Sequence, residues 1–112
     1  MAGHKEESRP LALQWRPRAN LDRQSIAIYL GIECGQPQAA LKAIQNIDEA
    51  IEQVRLFPQL GRQFKHEGLM HEYRVAAAFP YNVYYRYDEN AVTIYRILHQ
   101  RQSIGDYELV GL

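Results

Sequence analysis

Apolar and aromatic residues recur at every second position along residues 71–101. This is the period of a β-strand that buries one of its two faces. Phe79 and Pro80 interrupt the pattern once, and the turn-forming side chains Asp-Glu-Asn at 88–90 interrupt it again. The pattern therefore predicts three consecutive strands that are joined by short turns and run antiparallel.

A shorter alternating run lies near the N-terminus. Leu11, Leu13 and Trp15 alternate there with Ala12 and Gln14, which indicates one more short strand. We expect this strand to join the sheet formed by the three later ones.

Between the first strand and the later three, the period becomes that of an α-helix. From Ala19 to about Glu33, apolar residues return to one face, as they do in a helix that packs along one stripe. The stripe consists of Leu21, Ser25, Ile28, Tyr29 and Ile32. Gly35 and Pro37 end this helix and begin the next, because Gly is favoured just after a helix and Pro in its first turn.

The second helix has the more regular stripe. Its apolar residues are spaced by four, three, four and three positions, at Ala40, Ile44, Ile47, Ile51 and Val54. Pro58 cannot continue a helix and biases Phe57 away from helical dihedral angles, so the helix ends there. The segment 63–68 is interpreted as a loop that leads into the sheet.

The order of elements is strand, helix, helix, strand, strand, strand. It predicts an α+β fold of two layers, in which an antiparallel helical hairpin packs on one face of a mainly antiparallel four-stranded sheet. At 112 residues the chain has room for one core. Residues 1–9 are polar and without period, which predicts a mobile tail, and residues 10–112 form the single domain.

Composition limits the classes of function. Lys plus Arg and Asp plus Glu both total 13, so no net charge draws the chain to nucleic acid or to a membrane surface. Cys34 is the single cysteine and cannot form an internal disulfide, which fits a reducing cytosol. No apolar run approaches the roughly 20 residues of a membrane span. We therefore expect a cytoplasmic protein that makes no membrane contact.

The standard constellations for nucleotide and metal chemistry are missing from the sequence. It contains no glycine-rich phosphate loop, no HExxH and no cysteine pair, so we expect neither a cofactor nor a metal. His99 and Arg101 are the best candidates for local chemistry. They lie two positions apart at the end of the last predicted strand, so we expect them on one face, where they could bind a phosphate or transfer a proton.

Arg74 and Arg86 lie on neighbouring predicted strands, and each is flanked by tyrosines. They could form a cationic stripe with stacking surfaces for RNA. They could equally lie across their aromatic neighbours, with Glu72 and Asp88 neutralising their charge. The sequence leaves both alternatives open.

Four segments resemble the RelE/ParE superfamily, the toxins of bacterial type II toxin-antitoxin systems. They are PQLGR at 58–62, EYRV at 72–75, PYNVYYR at 80–86 and ILHQR at 97–101. The similarity extends from Leu11 to about Tyr107. It implies a cognate antitoxin that forms a hetero-oligomer with the toxin. A helical or extended antitoxin segment is expected in the groove between helices and sheet, where its acidic residues pair with sheet arginines. The side chains expected to contact partners are Arg74, Arg86, Arg96, His99 and Arg101.

The superfamily has two branches with different activities. Toxins similar to ParE bind and poison DNA gyrase without hydrolytic chemistry, whereas toxins similar to RelE are ribosome-dependent mRNA endoribonucleases. Where the nucleases place a catalytic arginine before the hairpin turn, this chain reads Ala-Ala-Ala-Phe at 76–79. The resemblance therefore favours a ParE-like, plasmid-stabilising toxin with gyrase as its target, contacted through the C-terminal strand and tail.

Two alternatives remain. A nuclease would use as its catalytic candidates Arg62, Arg86, His99, Arg101 and Tyr107. Of these, Arg101 and Tyr107 match in position a phosphate-binding arginine and a stacking tyrosine of the nuclease branch. A third hypothesis is a toxin fold that retains only antitoxin binding.

Overall fold

The computed structural model of the chain describes residues 9–65, 69 and 71–102. The strands are β1 (Ala12–Trp15), β2 (Arg62–Phe64), β3 (Tyr73–Ala78), β4 (Tyr81–Tyr87) and β5 (Ala91–His99). The helices are α1 (Pro17–Ile28), which continues as a π-helical turn over Tyr29–Glu33, and α2 (Pro37–Leu56). The predicted mobile tail lies almost wholly outside the described residues and stays a prediction.

The strands form one sheet in the order β1-β5-β4-β3-β2. β1 lies at one edge and pairs parallel to β5, and every other pair is antiparallel. This confirms the predicted two-layer α+β fold and its order of elements, but the sheet has five strands and not four. The additional strand β2 is only three residues long. It has no readable period of its own and exists because it pairs with β3.

Helix α2 confirms the stripe predicted for it. Its buried residues include Ala40, Ile47, Ile51 and Val54, and Ile44 packs against the same core. Gly35 adopts the left-handed conformation with φ of 64° between the helices, and Pro37 occupies the first turn of α2, as expected. Neither helix formed by the described residues is long and apolar enough to cross a membrane.

Helix α1 follows the predicted period but presents the opposite face to the core. Leu21, Ile28 and Ile32 are 55%, 50% and 76% exposed, so the prediction that this stripe packs was wrong. The inward face instead carries Ala19, which is fully buried, and Asp22. The small side chain lets α1 lie close to the sheet, and the carboxylate satisfies polar groups there.

The two faces of the sheet carry separate clusters. The face under the helices holds the main core, with residues such as Ile47, Val83 and Ile94. The other face holds a second buried cluster, consisting of Tyr73, Val75, Tyr84, Tyr95 and Leu98. Phe64 and Leu69 pack against this second cluster. The sheet therefore has no bare aromatic face.

Candidate partner-binding groove

A groove of about 410 Å³ opens between α2 and the edge of the sheet at β3. It is lined by Ala50, Gln53, Leu60, Gly61, Arg62, Val75, Ala76 and Ala77. Most of these side chains are small or apolar, so the groove accepts apolar side chains from outside. It lies where the resemblance places a partner segment, between the helices and the sheet.

One wall of the groove is the outer edge of β3, of which β2 covers only the first half. β2 pairs with β3 only over Tyr73–Val75, whereas β4 pairs with β3 as far as Ala78. From Ala76 to Ala78 no strand of the described residues lies on the outer side of β3. A free strand edge offers backbone N–H and C=O groups to an added strand. The groove therefore combines apolar pockets with a hydrogen-bonding edge.

A buried tyrosine holds the loop that forms the far wall. The Tyr85 hydroxyl donates to the Pro58 carbonyl oxygen at 2.7 Å and accepts from the Gly61 N–H at 2.9 Å. Burial raises the pKa of Tyr85, while the Gly61 N–H and the Arg74 charge act in the opposite direction. The phenol therefore keeps its proton at neutral pH and can donate and accept at once.

Arg74 on β3 also holds this loop through hydrogen bonds. Its Nη1 donates to the Gly61 carbonyl oxygen at 2.6 Å and to the Gln59 carbonyl oxygen at 3.2 Å. A Cβ on Gly61 would lie 2.6 Å from the Tyr85 Oη and 2.8 Å from the Val75 carbonyl oxygen. Only glycine fits this close approach. The arginine therefore acts within the fold, since it holds Leu60 and Arg62 at the groove.

Arg62 lies at the rim of the groove on exposed β2. Among the described residues no carboxylate lies within ion-pairing distance of it. Arg62 is directly opposite Val75 of the second cluster, so its side chain leaves the rim of the groove toward that face of the sheet. A guanidinium without a described ion pair at this rim suits a partner segment that carries an acidic side chain there. Of the arginines predicted from the sequence, Arg62 is the one that lines the groove.

Arg96, which we predicted to contact a partner, instead lies buried in an ion pair with Asp22. Its Nε and Nη2 donate to the two Asp22 carboxylate oxygens at 2.7 and 3.0 Å, and its side chain is 8% exposed. The β4–β5 register shifts beside Arg96, since Tyr84 is opposite Arg96 whereas Tyr85 is opposite Ile94. A bulge of this kind changes the direction in which the neighbouring side chains point. Arg96 therefore ties α1 to the sheet and is not presented to a partner here.

The proposed stripe of Arg74 and Arg86 does not form. Arg74 is directly opposite Tyr85 in the β3–β4 register, so it shares the face of Tyr85, and Arg86 points to the other face. The predicted neutralisation is also wrong. Glu72 pairs with Lys65, and the Asp88 carboxylate accepts the N–H groups of Asn90 and Ala91, which lowers its pKa.

Arg86 and Arg16 both lie near buried tyrosines on the second face of the sheet. Arg16 was not predicted from the sequence. The Arg16 guanidinium lies 5.4 Å from the ring centre of Tyr95, and Tyr95 contacts Tyr73 edge to face at 5.2 Å. Burial raises the pKa of Tyr73, and both guanidinium groups oppose that shift. Since these rings are buried, they offer no open faces on which bases could stack.

His99 and Arg101 do not share a strand face as predicted. β5 ends at His99, and Arg101 lies in the turn after it. The Arg101 N–H donates to the His99 Nδ1 at 3.1 Å, and the His99 N–H donates to the Gln102 Oε1 at 2.7 Å. The pair is therefore joined by a local turn, with the Nε2 atom of the imidazole left to carry the proton. Tyr107 lies outside the described residues.

Two of the described nuclease candidates, Arg86 and His99, also lie far apart. Arg86 is opposite Thr93 and His99 is opposite Tyr81 in the β4–β5 register. Five residues of strand separate these positions along β4, which is roughly 17 Å. Side chains that share one reacting phosphate must approach it within hydrogen-bonding distance, and these do not converge. Among the described residues, no group of three His, Cys, Asp or Glu is placed to hold a metal ion.

Comparison with known proteins agrees with the fold. A family model described as the ParE toxin of the type II toxin-antitoxin system, parDE, matches residues 13–104. Among solved structures, one described as the chromosomal ParDE TA system from P. aeruginosa is similar, at 27% identity and a TM-score of 0.57. The match covers 80% of this chain and 95% of that one. No curated protein matches the chain.

Proposed function

Because the chain belongs to the ParE toxin family of type II toxin-antitoxin systems, we propose that it acts in the cytoplasm by binding and poisoning DNA gyrase. A cognate antitoxin holds it inactive until the antitoxin is degraded. The resemblance to the ParE branch carries the choice of target, and the dispersed cationic residues support it. A toxin that acts by binding needs a surface, whereas a nuclease needs convergent groups.

The antitoxin occupies the groove between α2 and β3. Its segment adds to the β3 edge at Ala76–Ala78 and places apolar side chains against Ala50 and Leu60. An acidic side chain of the same segment pairs with Arg62. The observation that carries this proposal is the β3 edge at Ala76–Ala78, which no described strand covers, beside an apolar groove whose rim carries Arg62, for which the described residues supply no ion pair.

We expect the target to contact the chain at surfaces outside the groove. Arg86 and Arg101 lie away from the groove-lining residues, and no described carboxylate pairs with either of them. The turn that carries Arg101 comes directly after β5 and is exposed, whereas β5 itself is mostly buried, so the C-terminal end of the chain from this turn onward is the proposed gyrase contact. The antitoxin and the target then use different parts of the chain.

The experiment uses the purified chain in two assays. In the first it is added to gyrase with relaxed plasmid, and in the second to a translating extract whose mRNA ends are mapped. Blocked supercoiling with intact mRNA is the expected result, and addition of the antitoxin should restore supercoiling. Codon-phased mRNA cuts with normal supercoiling would identify an endoribonuclease and contradict the proposal. No effect in either assay would leave a fold that only binds its antitoxin.

A further inference from the structure

The exposed face of α1 carries an apolar stripe that no described residue covers. From here on the stripe means four of the five residues predicted for α1, namely Leu21, Ser25, Ile28 and Ile32, which are spaced by four, three and four positions; Tyr29 lies beside them and is also exposed. The three large side chains are each at least half exposed. None of the four lines the groove. Contiguous apolar side chains left to solvent along one face of a helix mark an interaction surface.

From Leu21 to Ile28 the spacing is that of the a and d positions of a coiled coil, and Ile32 follows in the π-helical turn. If two copies of α1 pair antiparallel, Leu21 lies against Ile32 of the second copy, and Ser25 lies against Ile28 of the second copy. Each contact then occurs twice, as two-fold symmetry requires. The small Ser25 near the centre permits a close approach of the two helices. The stripe is therefore complementary to itself.

The charged residues at the ends of the stripe agree with this arrangement. Arg18 lies three positions before Leu21, and Glu33 directly follows Ile32. Both are exposed and have no ion pair with described residues. In this antiparallel register Arg18 lies opposite position 35 of the second copy, two positions from Glu33 and within reach of it through its long side chain, whereas parallel pairing would set like charges together. The chain also has zero net charge, so no overall repulsion opposes association.

The stripe also contains an irregular helical turn. Ile32 lies in the π-helical segment Tyr29–Glu33 and is the most exposed of the three large side chains. Single π-helical turns occur frequently at functional sites.

From these observations we infer that the stripe is the interface of a homodimer, in which α1 pairs antiparallel with α1 of a second copy. The interface is one helix wide and falls below the roughly 1,200 Å² of standard complexes. The dimer therefore forms reversibly and depends on concentration. Because the groove lies on α2 and β3, each subunit of the dimer keeps its groove open to an antitoxin.

The first experiment measures the molar mass of the purified chain without antitoxin by sedimentation equilibrium, from about 1 to about 500 µM. The mass should rise from 13.0 kDa toward twice that value. Ile28→Asp places a charge at the centre of the stripe and should keep the mass at 13.0 kDa throughout. Phe57→Asp is the matched control, since Phe57 is a large exposed apolar residue outside the stripe and its replacement should leave the wild-type curve unchanged.

Circular dichroism of both variants checks that they are folded. A wild-type chain that stays monomeric at the highest concentration would overturn the inference, and so would an Ile28→Asp variant that dimerises like wild type. If the wild type is monomeric and Ile28→Asp loses affinity for the antitoxin, the stripe belongs to the antitoxin and not to a second copy.

A second experiment tests the antiparallel arrangement by charge reversal. Arg18→Glu and Glu33→Arg should each weaken dimerisation by roughly three- to tenfold at low salt, because each creates two like-charge contacts. The double variant restores opposite charges and should return to within about twofold of wild type. A double variant as weak as the sum of the single variants would contradict this pairing.

Discussion

Asp22 on α1 holds Arg96 on β5 in a bidentate ion pair, with N–O distances of 2.7 and 3.0 Å. The same carboxylate accepts the Ile97 N–H at 2.9 Å. β1 covers β5 only as far as Ile94, so Asp22 satisfies a backbone donor that no described strand covers on the β1 side of β5. One side chain thus replaces the missing neighbour strand and anchors α1.

Asp22→Ala should destabilise the fold by about 3 kcal/mol, because it removes a carboxylate that the mostly buried Arg96 guanidinium and the Ile97 N–H both bind. The free energy of unfolding from urea titration measures the effect. Asp48→Ala is the control. Its ion pair with Arg23 is much more exposed and should contribute less than about 1 kcal/mol. Equal losses in the two variants would contradict the role assigned to Asp22.

Tyr85→Phe should cost about 2 kcal/mol of unfolding free energy, because the Gly61 N–H and the Pro58 carbonyl oxygen both lose their partner. Tyr87→Phe serves as control, since its hydroxyl has no hydrogen bond to described residues and should cost much less. The same titration should show the larger loss for Tyr85. Unchanged stability of Tyr85→Phe would mean that the loop does not depend on this hydroxyl.

Stability should fall in alkaline solution. Burial raises the pKa of Tyr85, Tyr73 and Tyr81 above the ordinary value of 10.0. A raised folded-state pKa means that the folded chain holds these protons more tightly than the unfolded chain. Their contribution is therefore fully present below about pH 10 and is lost as the pH rises through the folded-state values. Urea titrations across this range should show a decline that is shallower in Tyr85→Phe, and an identical decline in that variant would count against the shift of Tyr85.

Ala77→Glu should weaken antitoxin binding by roughly 10- to 100-fold, because it sets a bulky anion at the open β3 edge that lines the groove, where it hinders an added strand and repels acidic side chains. Ala77 is exposed on β3, so the fold should survive. The measurement is calorimetric titration with the antitoxin, with Gln45→Glu on the exposed side of α2 as control. Wild-type affinity in Ala77→Glu would exclude the groove as the antitoxin site.

Arg62→Glu adds a second test of the same groove. It should lower antitoxin affinity, and added salt should weaken the remaining binding less than in wild type, because screening then relieves a repulsion at the rim instead of weakening an attraction. Thermal unfolding should change little, since Arg62 is exposed and has no described ion-pair partner. An effect on stability without an effect on affinity would assign this arginine to the fold.

The sequence by itself determined the elements that depend on neighbouring residues. The stripe of α2, the turn at 88–90 and the stop and start at Gly35 and Pro37 all follow from periodicity and turn chemistry over a few positions. The same short-range signals, together with the resemblance, predicted the two-layer fold and the family.

Only the tertiary structure decided which face each element shows. The Asp22–Arg96 pair joins residues 74 positions apart, and the hydrogen bonds of Tyr85 to the loop span 24 and 27 positions. No local pattern encodes such contacts. They decide that the stripe of α1 faces outward, that Arg74 is used within the fold, and that β2 forms at all. A period states that a helix or strand has two faces, but which face is buried depends on what the rest of the chain brings against it.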